Sequence, residues 1–318
     1  MNLRPLLLLL VVPLAACIDD GVCHQSDVKH LVVPDAGRLN AVAFTGEYGW
    51  GMTIVGDRGL VARSPDYEYE PFVSEHPVTA DLHAVSPGPE NLVFAAGAGG
   101  TLIGGHDGAT WQVLPSGTTA DLWDLEWVRR NGAQELLAVG DEVVLRRDPL
   151  AGSWSPIDPP DGGWGHLRAV FANDARVFVV GLAGTVWSSP EPRGVWQREP
   201  IGTDADLLAG YGGDPLSTDD PVIVVGVGGT ALRRDADVWR PMLGPFEGDL
   251  IAVDGGRILT ADGTVFRYFD DEGRDPVEQV ERMAWTLPGA RALRYDLTIA
   301  VVGDDALAAT VEGFCYRR

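Results

Sequence analysis

"AAGAGGTLIGGHDGATWQVLP", Ala95 to Pro115, is the stretch on which the fold turns. Its glycines suggest a phosphate cradle. Such a loop occurs once, between a buried strand and a helix, and often carries a Lys. Here there is no Lys, and no helical spacing follows. The stretch instead recurs. "IVGDRGLVARS" begins at Ile54, "AVGDEVVLRR" at Ala138, "VVGLAGTVWSS" at Val179 and "VVGVGGTALRR" at Val224. "ILTADGTVFRY" at Ile258 and "AVVGDDALAAT" at Ala300 are looser copies. Each is a short apolar run, a Gly or Asp turn and a second run, which is the signature of a β-hairpin. The glycines are therefore expected to supply positive φ at a tight turn.

A second mark precedes each hairpin: "LNAVAF" at Leu39, "LHAVSP" at Leu82, "LWDLEW" at Leu122 and "LRAVFA" at Leu167. It continues as "LLAGYG" at Leu207, "LIAVDG" at Leu250 and "LRYDLT" at Leu293, at intervals close to 42 residues. A third mark, a Trp opening a further apolar run, follows most hairpins: Trp111, Trp154, Trp196, Trp239 and Trp285. Each unit thus holds four strands, a to d. Four strands in roughly 40–45 residues is the size of a β-propeller blade. Leucine-rich solenoids have too short a period, and helix-pair repeats need a 3.6-residue apolar spacing that is absent. The expected fold is all-β, a seven-bladed β-propeller.

The ring is expected to close through the N-terminal strand. From the hairpin Gly to the next opening Leu is 26 residues at Gly56 and Gly181, 25 at Gly97, 27 at Gly140 and 24 at Gly226. After Gly303 only 15 residues remain, so about 11 are missing. Eleven residues before Leu39 lies Val28, where "VKHLVVPDAGRL" resembles "WQVLPSGTTADL" and "WRPMLGPFEGDL" of other units. An N-terminal strand should therefore complete the last blade and remove its open edge.

The chain opens "MNLRPLLLLLVVPLAAC". One Arg, an apolar run too short to span a bilayer and small residues after it form the pattern of a secretory signal. Leu14-Ala15-Ala16-Cys17 resembles the lipobox of bacterial lipoproteins. The resemblance implies cleavage before Cys17, a diacylglyceryl group on its sulfur, and a membrane-anchored lipoprotein exported to the bacterial cell envelope. The expected division is 1–16 signal peptide, 17–27 lipidated Cys and tether, and 28–318 propeller. Exported proteins keep disulfides. With Cys17 assigned to lipid, Cys23 and Cys315 remain, and the closing strand brings their two ends together. They are expected to pair, and in the chain-entropy picture a bridge over so long a loop contributes about 4–5 kcal/mol.

The formal net charge is −22, and Lys29 is the only lysine. Such a surface repels nucleic acid and anionic headgroups. No nucleic-acid partner is expected, and charged partners would be cationic.

The repeats resemble those of bacterial propellers with BNR or Asp-box blades, and of photosystem II assembly-factor-like propellers. "HDGATW", His106–Trp111, is close to the Asp-box S-x-D-x-G-x-T-W, one residue short and without the Ser. In these families the box is a structural turn, so the resemblance implies fold and not activity. Sialidases share the repeat, but their Arg-Ile-Pro signature does not occur here. There is no His-x-His, no His-Glu-x-x-His and no Gly-x-Ser-x-Gly elbow. No catalytic residue, metal or cofactor is expected.

One constellation stands out. Asp81, Asp121, Asp206 and Asp249 each directly precede an opening Leu, with Arg38 and His166 in that place in two other units. They should sit at equivalent corners where strand d hands over to strand a, on the same face as the turn acids Asp57, Asp141, Asp262 and Asp304. Either each Asp accepts N–H bonds in its own turn, or the four form an acidic rim for a cation or basic ligand. His83, Trp123 and Arg168, each just after an opening Leu, should lie just inside and are further candidate ligand contacts. The strand-d tryptophans are expected to pack between blades. The variable strand a–b loops, "GGDPLSTDDP" among them, and the insertion "DDEGRDPVEQVERMAW" are further places where binding can sit. The function that follows is a lipid-anchored, non-catalytic, monomeric propeller binding a protein or glycan. The alternatives are an envelope glycan hydrolase or lyase on the same scaffold, and a purely structural envelope component.

Overall fold

The computed structural model describes residues 28–33, 36–45, 51–64, 72–106, 110–130, 133–213, 221–235, 237–268, 280–286, 292–296, 298–302 and 306–311. All of its regular structure is β apart from single 3-10 turns. Strand β1 is Val28–Val32. The first blade then holds β2 (Leu39–Thr45), β3 (Gly51–Gly56), β4 (Val61–Ser64) and β5 (Val73–Glu75); the second holds β6 (Leu82–Pro87), β7 (Leu92–Gly97), β8 (Leu102–His106) and β9 (Gln112–Leu114). The third holds β10 (Leu122–Arg130), β11 (Ala133–Gly140), β12 (Val143–Arg147) and β13 (Trp154–Pro156); the fourth holds β14 (Leu167–Ala172), β15 (Val177–Gly181), β16 (Thr185–Ser189) and β17 (Gln197–Arg198). The fifth holds β18 (Leu207–Tyr211), β19 (Val222–Gly226), β20 (Ala231–Asp235) and β21 (Val238–Pro241); the sixth holds β22 (Leu250–Asp254), β23 (Arg257–Thr260), β24 (Thr264–Tyr268) and β25 (Val280–Thr286). The remaining strands are β26 (Ala292–Asp296), β27 (Thr298–Val302) and β28 (Ala306–Val311).

These strands form seven four-stranded antiparallel sheets. Six are sequential meanders, and the other has the order β1-β28-β27-β26. Its outer strand comes from the N-terminal side of the chain, with Val28 opposite Thr310 and Val32 opposite Ala306. The first strand of each sheet packs against the first strands of its neighbours, and β26 touches both β22 and β2. The molecule is a β-propeller.

Burial follows strand position. The second strand of a blade is covered on both faces, so it reads as a continuous apolar run rather than an alternation. β3, β15 and β19 are buried at every residue. Five of the outermost strands have only two to four residues, and both residues of β17 are exposed. Between blades the apolar side chains interdigitate, as where Val128 and Val139 of the third blade meet Leu167, Val179 and Trp187 of the fourth. Trp154, Trp196 and Trp239 are buried. Half-buried Trp111 reaches back to the first blade, its Nε1 donating to Glu75 Oε1 at 3.0 Å.

The glycine that ends the second strand has a different duty from the one expected. Gly56, Gly97 and Gly226 have φ of −165°, −171° and −168°, extended backbone open to any residue. What excludes a side chain is space. A Cβ at Gly97 would stand 2.0 Å from the Asp81 carbonyl oxygen, and Gly56, Gly140, Gly181 and Gly226 meet the corresponding carbonyl at 2.0 or 2.1 Å. Positive φ falls two residues later, at Arg58, Gly99, Glu142, Ala183 and Gly228.

Candidate functional site

Call the end of the ring where each inner strand begins the mouth, and the opposite end the far face. The mouth carries the linkers between blades and the turns between second and third strands. Its geometry follows from two local devices.

The first is a corner staple. Asp81 Oδ1 accepts the N–H of Arg58 at 2.7 Å, Asp121 that of Gly99 at 2.8 Å, Asp206 that of Ala183 at 2.8 Å and Asp249 that of Gly228 at 2.9 Å. In every case the donor is the positive-φ residue in the turn of the preceding blade. The same corner residue turns its own carbonyl to its own blade: Asp81 O accepts from Ala98 N, Asp121 O from Asp141 N, Asp206 O from Val227 N and Asp249 O from Ala261 N. The expectation that each Asp serves its own turn is thus corrected. The side chain serves the turn before, and only the backbone serves its own. The reason is that the linker enters beside the preceding blade, which puts that blade's unpaired N–H within reach of a short carboxylate.

The second is a bulge. In the six described blades that open with a Leu, the register slips at the residue after it, as between Leu82 and Ala84 or Leu167 and Ala169. A bulge re-aims one side chain. The re-aimed residues are Asn40, His83, Trp123, Arg168, Leu208 and Ile251. Asn40 Nδ2 donates to Leu82 O at 2.9 Å and to Asp57 Oδ1 at 3.1 Å. His83 Nδ1 lies 3.0 Å from Leu122 O. A carbonyl only accepts, so Nδ1 carries the proton and Nε2 is left for other partners.

Three of the candidate contacts form one stack. The His83 and Trp123 rings lie 4.3 Å apart at 8°, and Arg168 Cζ sits 4.5 Å from the Trp123 ring. His83 comes from the blade before Trp123 and Arg168 from the blade after, so the indole is sandwiched and offers no free face. Asp141 ties the stack together. Its Oδ1 accepts from Arg168 Nη1 at 3.0 Å, His166 Nδ1 at 3.1 Å and Trp123 Nε1 at 3.3 Å. Burial by itself would raise the Asp141 carboxyl, but the hydrogen bonds from Arg168, His166 and Trp123 and the Arg168 charge outweigh it and hold the group below the ordinary carboxylate value. The half-buried Arg168 and the exposed His166 remain open to solvent around this anchored carboxylate.

The four corner aspartates do not join this stack; each stays at its own blade boundary. The rest of the mouth is acidic. Its linkers and turns add Asp57, Glu142, Asp158, Asp161, Asp204 and Glu247, against Arg38 and Arg58. Among the described residues no group of three or more His, Cys, Asp or Glu could hold a metal ion. Cys17, Cys23, Cys315 and Asp304, most of "GGDPLSTDDP" and much of the insertion before Trp285 lie outside the described residues.

A second polar cluster, missed in the sequence, lies between the fourth and fifth blades. Arg234 Nε donates to Glu199 Oε2 at 2.9 Å, Ser188 Oγ donates to Oε1 at 2.6 Å and the Trp239 indole N–H also reaches Glu199. Burial would raise the Glu199 carboxyl, but the bonds from Arg234, Ser188 and Trp239 and the Arg234 charge hold it low. Only the unusual acid directly after the short β17 hinted at it.

No family model matches the chain. The photosystem II assembly protein Ycf48 of Synechococcus sp. (strain JA-3-3Ab) is 26% identical over 162 residues, 50% of this chain and 48% of that protein. The match therefore spans about half the length of that curated relative. Among solved structures, virginiamycin B lyase from Staphylococcus aureus superposes with a TM-score of 0.75 over 90% of this chain and 99% of that one, at 9% identity. The WD40 repeats of RRP9 superpose with a TM-score of 0.70 over 91% and 99%, at 10% identity. At such identity the likeness is one of fold.

Proposed function

We propose that this chain is a non-catalytic, protein-binding propeller held at the bacterial envelope by a lipid on Cys17, with the mouth receiving the partner. The observation that carries the binding reading is the His83–Trp123–Arg168 stack locked on Asp141. It is a preorganised polar surface on a rigid ring, the setting in which little ordering entropy is lost on association. The likeness over half the chain to a protein named for the assembly of photosystem II favours a protein over a glycan. A photo-crosslinker at His166 should capture a defined envelope protein, and Arg168→Gln should abolish capture while melting stays near wild type. Equal capture by the variant would move the site to the strand a–b loops.

The wider reading treats the seven sheets as one ring latched by β1, with residues 1–16 removed, 17–27 as tether and 28–318 as the propeller. Val28 faces Thr310, and Cys23 and Cys315 stand five residues beyond each of them in sequence. That spacing supports their pairing, and non-reducing peptide mapping of exported protein should recover a Cys23–Cys315 peptide. Cys17→Ser should leave an uncleaved precursor or release the protein from membranes.

A second reading, a glycan hydrolase or lyase, is favoured by one observation. His166 is oriented by Asp141 through Nδ1, with Nε2 free, as a general base requires. Turnover of envelope glycans that His166→Ala abolishes without lowering the melting temperature would establish it.

A further inference from the structure

The polarity of β1 orients the molecule. Inner strands leave the mouth, second strands return, third strands leave and outer strands return. β1 is the outer strand of its sheet and runs antiparallel to β28. Val32 is therefore at the mouth and Val28 at the far face. Ten residues separate Val28 from Cys17, a reach of roughly 35 Å when fully extended. The tether that leads to Cys17 thus starts on the far-face side. To turn the mouth toward the bilayer, the tether would have to climb the blade, about 20 Å for strands of this length.

The far face carries two apolar tips. Leu150 is 98% exposed in the connection between β12 and β13, and Val195 is 75% exposed in that between β16 and β17. Neither is a loose loop. Asp148 Oδ1 accepts the N–H groups of Leu150 and Ala151 at 2.9 and 2.8 Å. Val195 adjoins buried Trp196, whose Nε1 donates to Pro192 O at 3.3 Å. Between the tips runs a mixed-charge contact, Arg193 to Glu135 at 3.1 Å. The tips belong to the third and fourth blades. In a ring of seven sheets these lie across from the sheet that holds β1.

We propose that the far face rests on the lipid bilayer. The tether holds one side, and Leu150 and Val195 enter the boundary between headgroups and acyl chains on the other. The mouth then faces away from the membrane, open to a partner. This rests on the lipid anchor at Cys17.

The test uses the full lipidated protein in vesicles of phosphatidylethanolamine and phosphatidylglycerol. An environment-sensitive fluorophore is attached at Leu150→Cys, Val195→Cys or, at the mouth, Glu142→Cys. The parent protein, taken through the same labelling, supplies the background. Labels at 150 and 195 should shift to the blue and lose emission to nitroxide-bearing lipids, while the label at 142 does neither. Quenching at 142 instead would reverse the orientation. Vesicle-bound protein with no site quenched would overturn the proposal while leaving the anchor standing, and would free the far face for a protein partner. Protein that fails to sediment with vesicles, like Cys17→Ser, would remove the anchor and the proposal with it.

Discussion

At the residue scale, two glycines two positions apart do different things. Gly97 is needed for space and Gly99 for conformation. A Cβ at Gly97 meets the Asp81 carbonyl at 2.0 Å, a contact that must move backbone, whereas nothing lies within 4 Å of one at Gly99. Gly97→Ala should cost upwards of about 3 kcal/mol, in the range reserved for strain that packing cannot relieve. Gly99→Ala should cost only about 1 kcal/mol, the ordinary penalty of a left-handed L-residue. Chemical denaturation of the two variants checks the order. That Ala183 already occupies the equivalent position with φ 52° supports it. The corner aspartates belong to the same scale. Asp121→Ala strips the Gly99 N–H of its acceptor and should cost about 1 kcal/mol, with Asp121→Asn milder because its amide oxygen still accepts. An equal loss from both would mean that charge matters more than the bond.

At the element scale, blades are joined by polar contacts as well as apolar ones, and the Glu199–Arg234 pair is a buried one. Their side chains are 11% and 8% exposed. Breaking one side of such a pair leaves an uncompensated charge, so Arg234→Ala should destabilise by roughly 3–5 kcal/mol. A neutral double replacement, Glu199→Gln with Arg234→Met, removes both charges while the amide oxygen still accepts from Ser188 or Trp239, and should recover part of it. Thermal unfolding of both variants reads the difference directly. The outermost strands show what such a contact replaces. β17 has only two residues, both exposed, and pairs through Trp187 with Arg198 and Ser188 with Gln197. So short a ladder cannot hold the blade edge alone. Glu199, directly after it, is where the chain is fastened.

At the scale of the whole molecule, acid stability is coupled to these contacts. Asp141 and Glu199 are both held below their ordinary values. The folded state therefore favours their ionised forms. Their contribution is complete above the unfolded carboxylate values near about 4 and is lost as pH falls through the lower folded values. The melting temperature should fall steeply below about pH 4, and Asp141→Asn with Glu199→Gln should flatten that descent while lowering the neutral-pH plateau. Removal of Val28–Val32 should expose β28 as an edge, and size-exclusion chromatography should then show oligomers formed by edge pairing.

The repeat and the opening Leu of each inner strand are legible in the amino-acid sequence alone. These are local patterns of alternation and turn chemistry, and they repeat often enough to be read without neighbours. The sequence also pointed to His83, Trp123 and Arg168 by their shared position after that Leu. It did not determine what they do together. The bonds that build the mouth join residues half a repeat to a full repeat apart: 22 positions from Gly99 to Asp121, 42 from Asn40 to Leu82, 39 from His83 to Leu122, 46 from Asp124 to Val170. Such separations have no local signal, because within one repeat each partner looks unpaired. Only the packing of one blade against the next decided that each corner carboxylate serves the turn before it, that Trp123 lies covered on both faces, and that Asp141 gathers Trp123 of its own blade with His166 and Arg168 of the next.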